Sequence, residues 1–200
     1  MATTAAPYGL KPVKRVDGMP YAGATRLYKI DPAGEATNLF YGQVVNIGAD
    51  GYIALCTATG ADATTNNLGG SGVGAIGVFV GCEYVNAQGQ VIYSQYYPSG
   101  TANGGDIVAY VVDDPNALFM AELDATATQT MVGTNTTFAT AQTTSTGSTT
   151  TGVSNSQLDA TVATTAKAFK IVALAPDEST AAVLVKFNPS FHRFTSDVGL

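Results

Sequence analysis

Apolar and β-branched residues recur along this chain in short runs, with polar punctuation about every eight to twelve residues. The run "GQVVNIG" (42–48) is followed by "ADG" (49–51) and then "YIALCTA" (52–58). Asp-Gly supplies the positive φ angles of a tight turn, so this stretch predicts a hairpin. A second pair of runs, "AIGVFVGCEYV" (75–85) and "QVIYSQYY" (90–97), flanks the turn "NAQG" (86–89). Beyond "PSGTANGG" come "DIVAYVV" (106–112), the turn "DDPN" (113–116) and "ALFMAEL" (117–123). Two more strands, "KAFKIVALA" (167–175) and "AAVLVKF" (181–187), flank "PDEST" (176–180). The 3.6-residue period of an amphipathic helix is nearly absent. This cadence predicts a mainly β chain folded as a small barrel or sandwich.

Two segments depart from the cadence. Residues 1–38 predict an extended N-terminal arm: "APYGLKPVKRVDGMPYAG" holds three prolines and three glycines, too many for a helix or an inner strand. Residues 39–200 then form a single β-rich domain. Within it, 16 of the 42 residues in 125–166 are Thr, and Ala, Ser and Gly supply most of the rest. Thr favours extended backbone but buries little, which leaves a loosely held loop or outer strands on an oligomer. The tail "NPSFHRFTSDVGL" (188–200) is expected to be mobile or held by a partner.

Composition changes the picture in one respect. The chain is 46% hydrophobic and only 12% charged, about half the usual share for a soluble domain. Surface so poor in charge is expected to be covered by copies of the chain or by a partner. The few charges are also segregated. All nine bases lie in the ends, at Lys11, Lys14, Arg15, Arg26 and Lys29 and at Lys167, Lys170, Lys186 and Arg193. With four acids among them the ends carry +5, while eleven acids and no base lie between, giving −11. A body this acidic repels nucleic acid. The N-terminal bases, opposed only by Asp17, could instead touch an acidic surface, with Tyr8, Leu10 and Val13 as apolar anchors. Pro7, Pro12 and Pro20 stiffen the arm and lower the entropy lost when it is ordered. The competing expectation is that the arm swaps onto a neighbouring subunit.

Candidate chemistry is thin. Gly72, Gly74 and Gly77 form G-x-G-x-x-G, the fingerprint of a dinucleotide-binding turn. That turn requires a strand before it and a helix after it, whereas polar "TGADATTNNLGGS" precedes and β-rich "VFVGCEYV" follows. The spacing is therefore read as accidental. His192 is the only histidine. No Ser sits in a G-x-S-x-G elbow. Asp113-Asp114 precede Pro115-Asn116, where Asp caps turns, and the tyrosines of "YSQYY" suit strands and interfaces as well as ligand stacking. Neither an enzymatic activity nor a cofactor or metal is implied. Cys56 and Cys82 lie in apolar runs and are expected to be free buried thiols in a reducing compartment. No apolar run reaches the length of a membrane span.

Several stretches also occur in a familiar order: "PYGLKPVKRVDG", "GQVVNIGADGYI", "GAIGVFVGCEYV", "VAYVVDDPNALFMAEL" and "KAFKIVALAPDESTAAVLVKFNPSFHRF". Together they span nearly the whole chain, and the set resembles the small structural proteins of tailed-phage heads, in particular the capsid decoration or cement proteins. The resemblance implies a β-tulip-like fold, binding to the major capsid protein on the outside of an icosahedral shell, and homotrimers. It implies location in the virion after synthesis in the host cytoplasm, and no catalysis. A minor shell subunit or a head–tail connector remains the alternative.

Overall fold

A computed structural model of the chain describes residues 6–57, 74–101, 107–140, 142, 146–175 and 179–195. The fold is mainly β, with 44% strand and 4% helix. Along the first part run β1 (Lys11–Arg15), β2 (Arg26–Lys29), β3 (Leu39–Phe40), β4 (Val44–Ile47) and β5 (Ile53–Leu55). Next come β6 (Gly77–Val85), β7 (Val91–Ser94), β8 (Tyr96–Tyr97), β9 (Val108–Val112) and β10 (Ala117–Glu122). The last are β11 (Asn135–Thr136), β12 (Gly147–Ser148), β13 (Val153–Ser154), β14 (Phe169–Leu174) and β15 (Ala182–Phe187).

These strands build two large antiparallel sheets. One has five strands in the order β1-β10-β15-β14-β11; the other runs β2-β9-β6-β4-β5, with β7 also paired to β6. Two small ladders, β3-β8 and β12-β13, complete the described strands. The predicted hairpins form. β4 pairs with β5 from Val45↔Leu55 to Ile47↔Ile53, across a turn in which Gly51 has φ +84°. Between β6 and β7 the Asn86 side chain accepts from the amides of Gln88 and Gln90. β14 pairs with β15; the turn residues 176–178 lie outside the described residues.

"DDPN" does something else. β9 belongs to the six-stranded sheet and β10 to the five-stranded one, so this turn hands the chain from one sheet to the other. Asp114 shapes it by accepting the Asn116 amide at 2.8 Å. All six residues of β10 are buried.

The six-stranded sheet is covered on both faces over its centre. Val44, Val78 and Val112 point into a cluster with Phe119, Val185, Ile171, Phe169 and Phe187 of the five-stranded sheet. Val45, Phe79 and Val111 point the other way, into a second cluster with Ile30, Leu39, Tyr97 and Ile107. Alternation along a strand produces this division. Phe169 anchors the first cluster, with its ring 5.3 Å from Phe138 and 5.1 Å from Phe187. Cys56 and Cys82 are free and buried; burial pushes the Cys82 thiol up to about 12.

The ends of the chain differ from the sequence-based expectation. Residues 6–38 are extended, but they are woven into the body: β1 edges the five-stranded sheet and β2 edges the six-stranded one. Leu10 and Ile30 are each 1% exposed. Pro12 is compatible with this because an edge strand has one unpaired side, and a register shift between Pro12 and Lys14 absorbs the irregularity. The described part of the Thr-rich segment is also packed on the body. There Ser156 Oγ donates to Gln142 Oε1 at 2.7 Å and Ser154 Oγ donates to Ser156 Oγ at 2.9 Å. Mutual hydrogen bonding makes burial of these short polar side chains tolerable.

Candidate partner-binding surface

The two large sheets divide the predicted partner-binding residues between them. Leu10 belongs to the core and offers no anchor at the surface. Tyr8 and Val13 are half-buried. Arg15 pairs with Asp114 at 3.3 Å and Asp17 at 3.8 Å. Arg26 pairs with Asp113 at 3.0 Å and lies over the Phe194 ring. The Asp113-Asp114 corner thus neutralises the chain's own arginines. Tyr28 also donates its hydroxyl to Asp113 at 2.6 Å, and burial with that bond raises its phenol. Lys11, Lys14 and Lys29 remain exposed.

The fold adds two lysines that the sequence did not single out. Lys11 is opposite Met120, and Lys14 is opposite Leu118. Phe119 lies opposite Val185, so Leu118 neighbours Lys186, which in turn lies directly opposite Lys170. Phe119, Val183, Val185 and Ile171 point into the core. Alternation therefore places Lys11, Lys14, Lys170 and Lys186 on the opposite, outer face. Lys14, Leu118, Lys186 and Lys170 form one row across four strands, about 14 Å from end to end at the usual strand spacing. Beside it lies a shallow pocket of ≈ 340 Å³ between Val16, Val132 and the Lys170–Lys186 pair.

The electrostatics of this face are unbalanced. Among the described residues the ion pairs all belong to Arg15 and Arg26, and no described carboxylate pairs with these four lysines. The one acid on the same face among the described residues, Glu122, is 3% exposed and accepts from the Ser179 hydroxyl at 2.8 and 2.9 Å. Like charges directly opposite on neighbouring strands repel. Among the described residues, a chain of net charge −6 therefore carries a basic face whose lysines flank the buried Leu118 and Met120. Segregation of the bases to the chain ends was legible in the sequence. Their convergence needed the pairing of β1 with β10 and β10 with β15.

The remaining candidates find structural places. Gly72 lies outside the described residues. Gly77 opens β6, a strand where the dinucleotide fingerprint needs a helix. A Cβ at Gly77 would collide with the Val112 carbonyl oxygen, and one at Gly74 with that of Phe191. Close backbone approach accounts for both glycines. His192 is 1% exposed, against the expectation of a mobile tail. Its ring lies 5.5 Å from Phe187, its Nδ1 accepts the Phe194 amide, and the Arg193 amide donates to Ala75 O. Of the "YSQYY" tyrosines, Tyr97 is core, Tyr96 stacks on Phe40, and Tyr93 is 71% exposed. The chain matches no protein-family model, no curated protein and no solved structure.

Proposed function

We propose that this chain is a virion structural protein that binds the outer surface of an icosahedral phage shell and stabilises it, without catalysis. The observation that carries the proposal is the basic outer face of the five-stranded sheet on an otherwise acidic chain. Its fitting partner is an acidic patch of a major capsid protein. The order of motifs and the mainly β fold support the same reading.

Each exposed lysine contact contributes little, roughly 0–1 kcal/mol. Repetition over a symmetric shell turns many weak contacts into lasting attachment. The rigid sheet holds the lysines in register, so little order has to be created on docking. Attachment is thus assigned to a sheet face fed by both chain ends, rather than to an N-terminal arm alone.

The test is to mix the full chain with purified undecorated shells and measure bound copies by co-sedimentation and cryo-electron microscopy. Wild-type protein should occupy equivalent positions in hundreds of copies. A Lys14→Gln/Lys170→Gln/Lys186→Gln variant should show at least about a tenfold weaker hold, which corresponds to 1.4 kcal/mol. Absence of binding by wild type, or a dozen copies at one vertex, would overturn the proposal.

A further inference from the structure

The last described residues, 189–195, follow β15 through the short turn Pro189–Phe191 and lie back over the body. His192 forms a parallel bridge with Ala75, and the Arg193 amide donates to Ala75 O at 2.9 Å. Gly74 has no Cβ to block the Phe191 carbonyl, so the two backbones approach closely. The Phe191 side chain joins the first core cluster, while Phe194 is 50% exposed beneath Arg26. The amides of Phe191, His192 and Thr195 bond within the segment, to Asn188, Pro189 and His192. This seat is imperfect. His192 Nε2 and both Nη atoms of Arg193 are buried with no hydrogen-bond partner, which leaves their desolvation uncompensated.

We propose that residues 189–195 are an acid-released clamp: a proton on His192 lifts them off Ala75 and Phe187 while the rest of the fold stays closed. His192 Nδ1 accepts the Phe194 amide at 3.3 Å, so the neutral ring carries its hydrogen on Nε2. A proton added at Nδ1 sets donor against donor and breaks that bond. The charge then sits in a ring flanked by Phe187, at 5.5 Å, and Phe194, at 6.0 Å. The carboxylates that face it are already engaged, Asp113 by Arg26 and Tyr28, and Asp114 by Arg15. Arg193 adds a like charge next in sequence, and Lys186, beside Phe187 on β15, points to the outer face. Burial thus holds His192 below its ordinary pKa, and the two carboxylates with the backbone of Asp113 and Ile76 oppose this only in part. Once released, the ring regains its ordinary value of about 6.5. Opening therefore binds one proton. Its equilibrium rises by up to about tenfold for each pH unit below about 6.5, until the seated ring itself protonates. The first core cluster around Phe119, Phe169, Val183 and Val185 is built from other residues, so β14 and β15 stay paired. Release needs no shell or partner.

Two measurements on the full, untagged chain test this. His192 is the only histidine, so one imidazole signal in a proton NMR titration reports it; its midpoint should fall below about 6.5. Hydrogen exchange between about pH 7.5 and about pH 5.5 should show the Arg193 and Phe194 amides losing protection relative to the Val185 amide as pH falls. His192→Phe should abolish that pH dependence; should this variant fail to fold, the wild-type titration and exchange decide. A midpoint at or above about 6.5, or a protection ratio that ignores pH, would overturn the proposal. So would loss of Val185 protection in step with the segment, or a folded H192F variant that keeps the pH dependence.

Discussion

Replacing Lys186 by Gln is expected to stabilise the free protein while weakening its hold on an acidic surface. Lys186 and Lys170 lie directly opposite each other on β15 and β14, and both are half-buried on the outer face. Their Cβ atoms are held about 5 Å apart by the ladder, while the flexible stems let the ammonium groups separate to about 8 Å. At that distance in water the repulsion is about 0.5 kcal/mol, within the range of roughly 0.2–1 kcal/mol for cross-strand pairs. Gln keeps most of the stem and removes the charge. The melting temperature should rise by about 1–2 °C in low salt, given some 2–4 °C per kcal/mol for chains of this size. In about 1 M salt the screening length falls to about 3 Å and the gain should vanish. Lys170→Gln should behave alike, and the double variant should gain less than the sum of the two, because the second removal has no partner left. Scanning calorimetry at both salt concentrations reads all of this. A lowered melting temperature in low salt, or an equal rise in both, would refute the account of these lysines as an unrelieved pair.

Two further substitutions bear on the core and the tail. Gly77→Ala should cost about 1–3 kcal/mol, because its Cβ meets the Val112 carbonyl oxygen and lies 2.9 Å from Val111 Cγ1; a chemical-denaturation midpoint equal to wild type would remove the packing explanation for this glycine. His192 is held below its ordinary pKa by burial, opposed only in part by the charges of Asp113 and Asp114. The unfolded chain therefore takes up a proton first as pH falls below about 6.5, so stability is full above that pH and declines toward the depressed folded value. Melting curves between pH 7.5 and 5.5, an interval chosen to bracket that value, should show this decline in wild type and a shallower one in His192→Phe; parallel slopes would exclude His192 as its source.

Local chemistry was legible where the interaction is local. Asp-Gly before "YIALCTA" and "NAQG" before "QVIYSQYY" specify hairpins through φ angles and side-chain turns that need no distant partner. The buried state of Cys56 and Cys82 followed from the apolar runs around them. "DDPN" carried the same kind of turn signal, yet joins two sheets, since turn residues set the local backbone and not which ladder the next strand enters. The N-terminal prolines excluded inner strands, and an edge strand satisfies that exclusion as well as a free arm does. His192 was hidden because its burial depends on a bridge to Ala75, far away in sequence.

The candidate surface shows the same division. Sequence by itself determined that bases belong to the ends of this chain, that acids fill the middle, and that strands dominate. Only the tertiary structure decided that Arg15 and Arg26 are neutralised at the Asp113-Asp114 corner. It likewise brought Lys14, Lys170 and Lys186 into one row. The physical reason is that charge and apolarity belong to residues, whereas a binding surface belongs to a register. In an antiparallel sheet that register is set by which strands pair and by each bulge, and a shift of one residue turns every side chain to the other face.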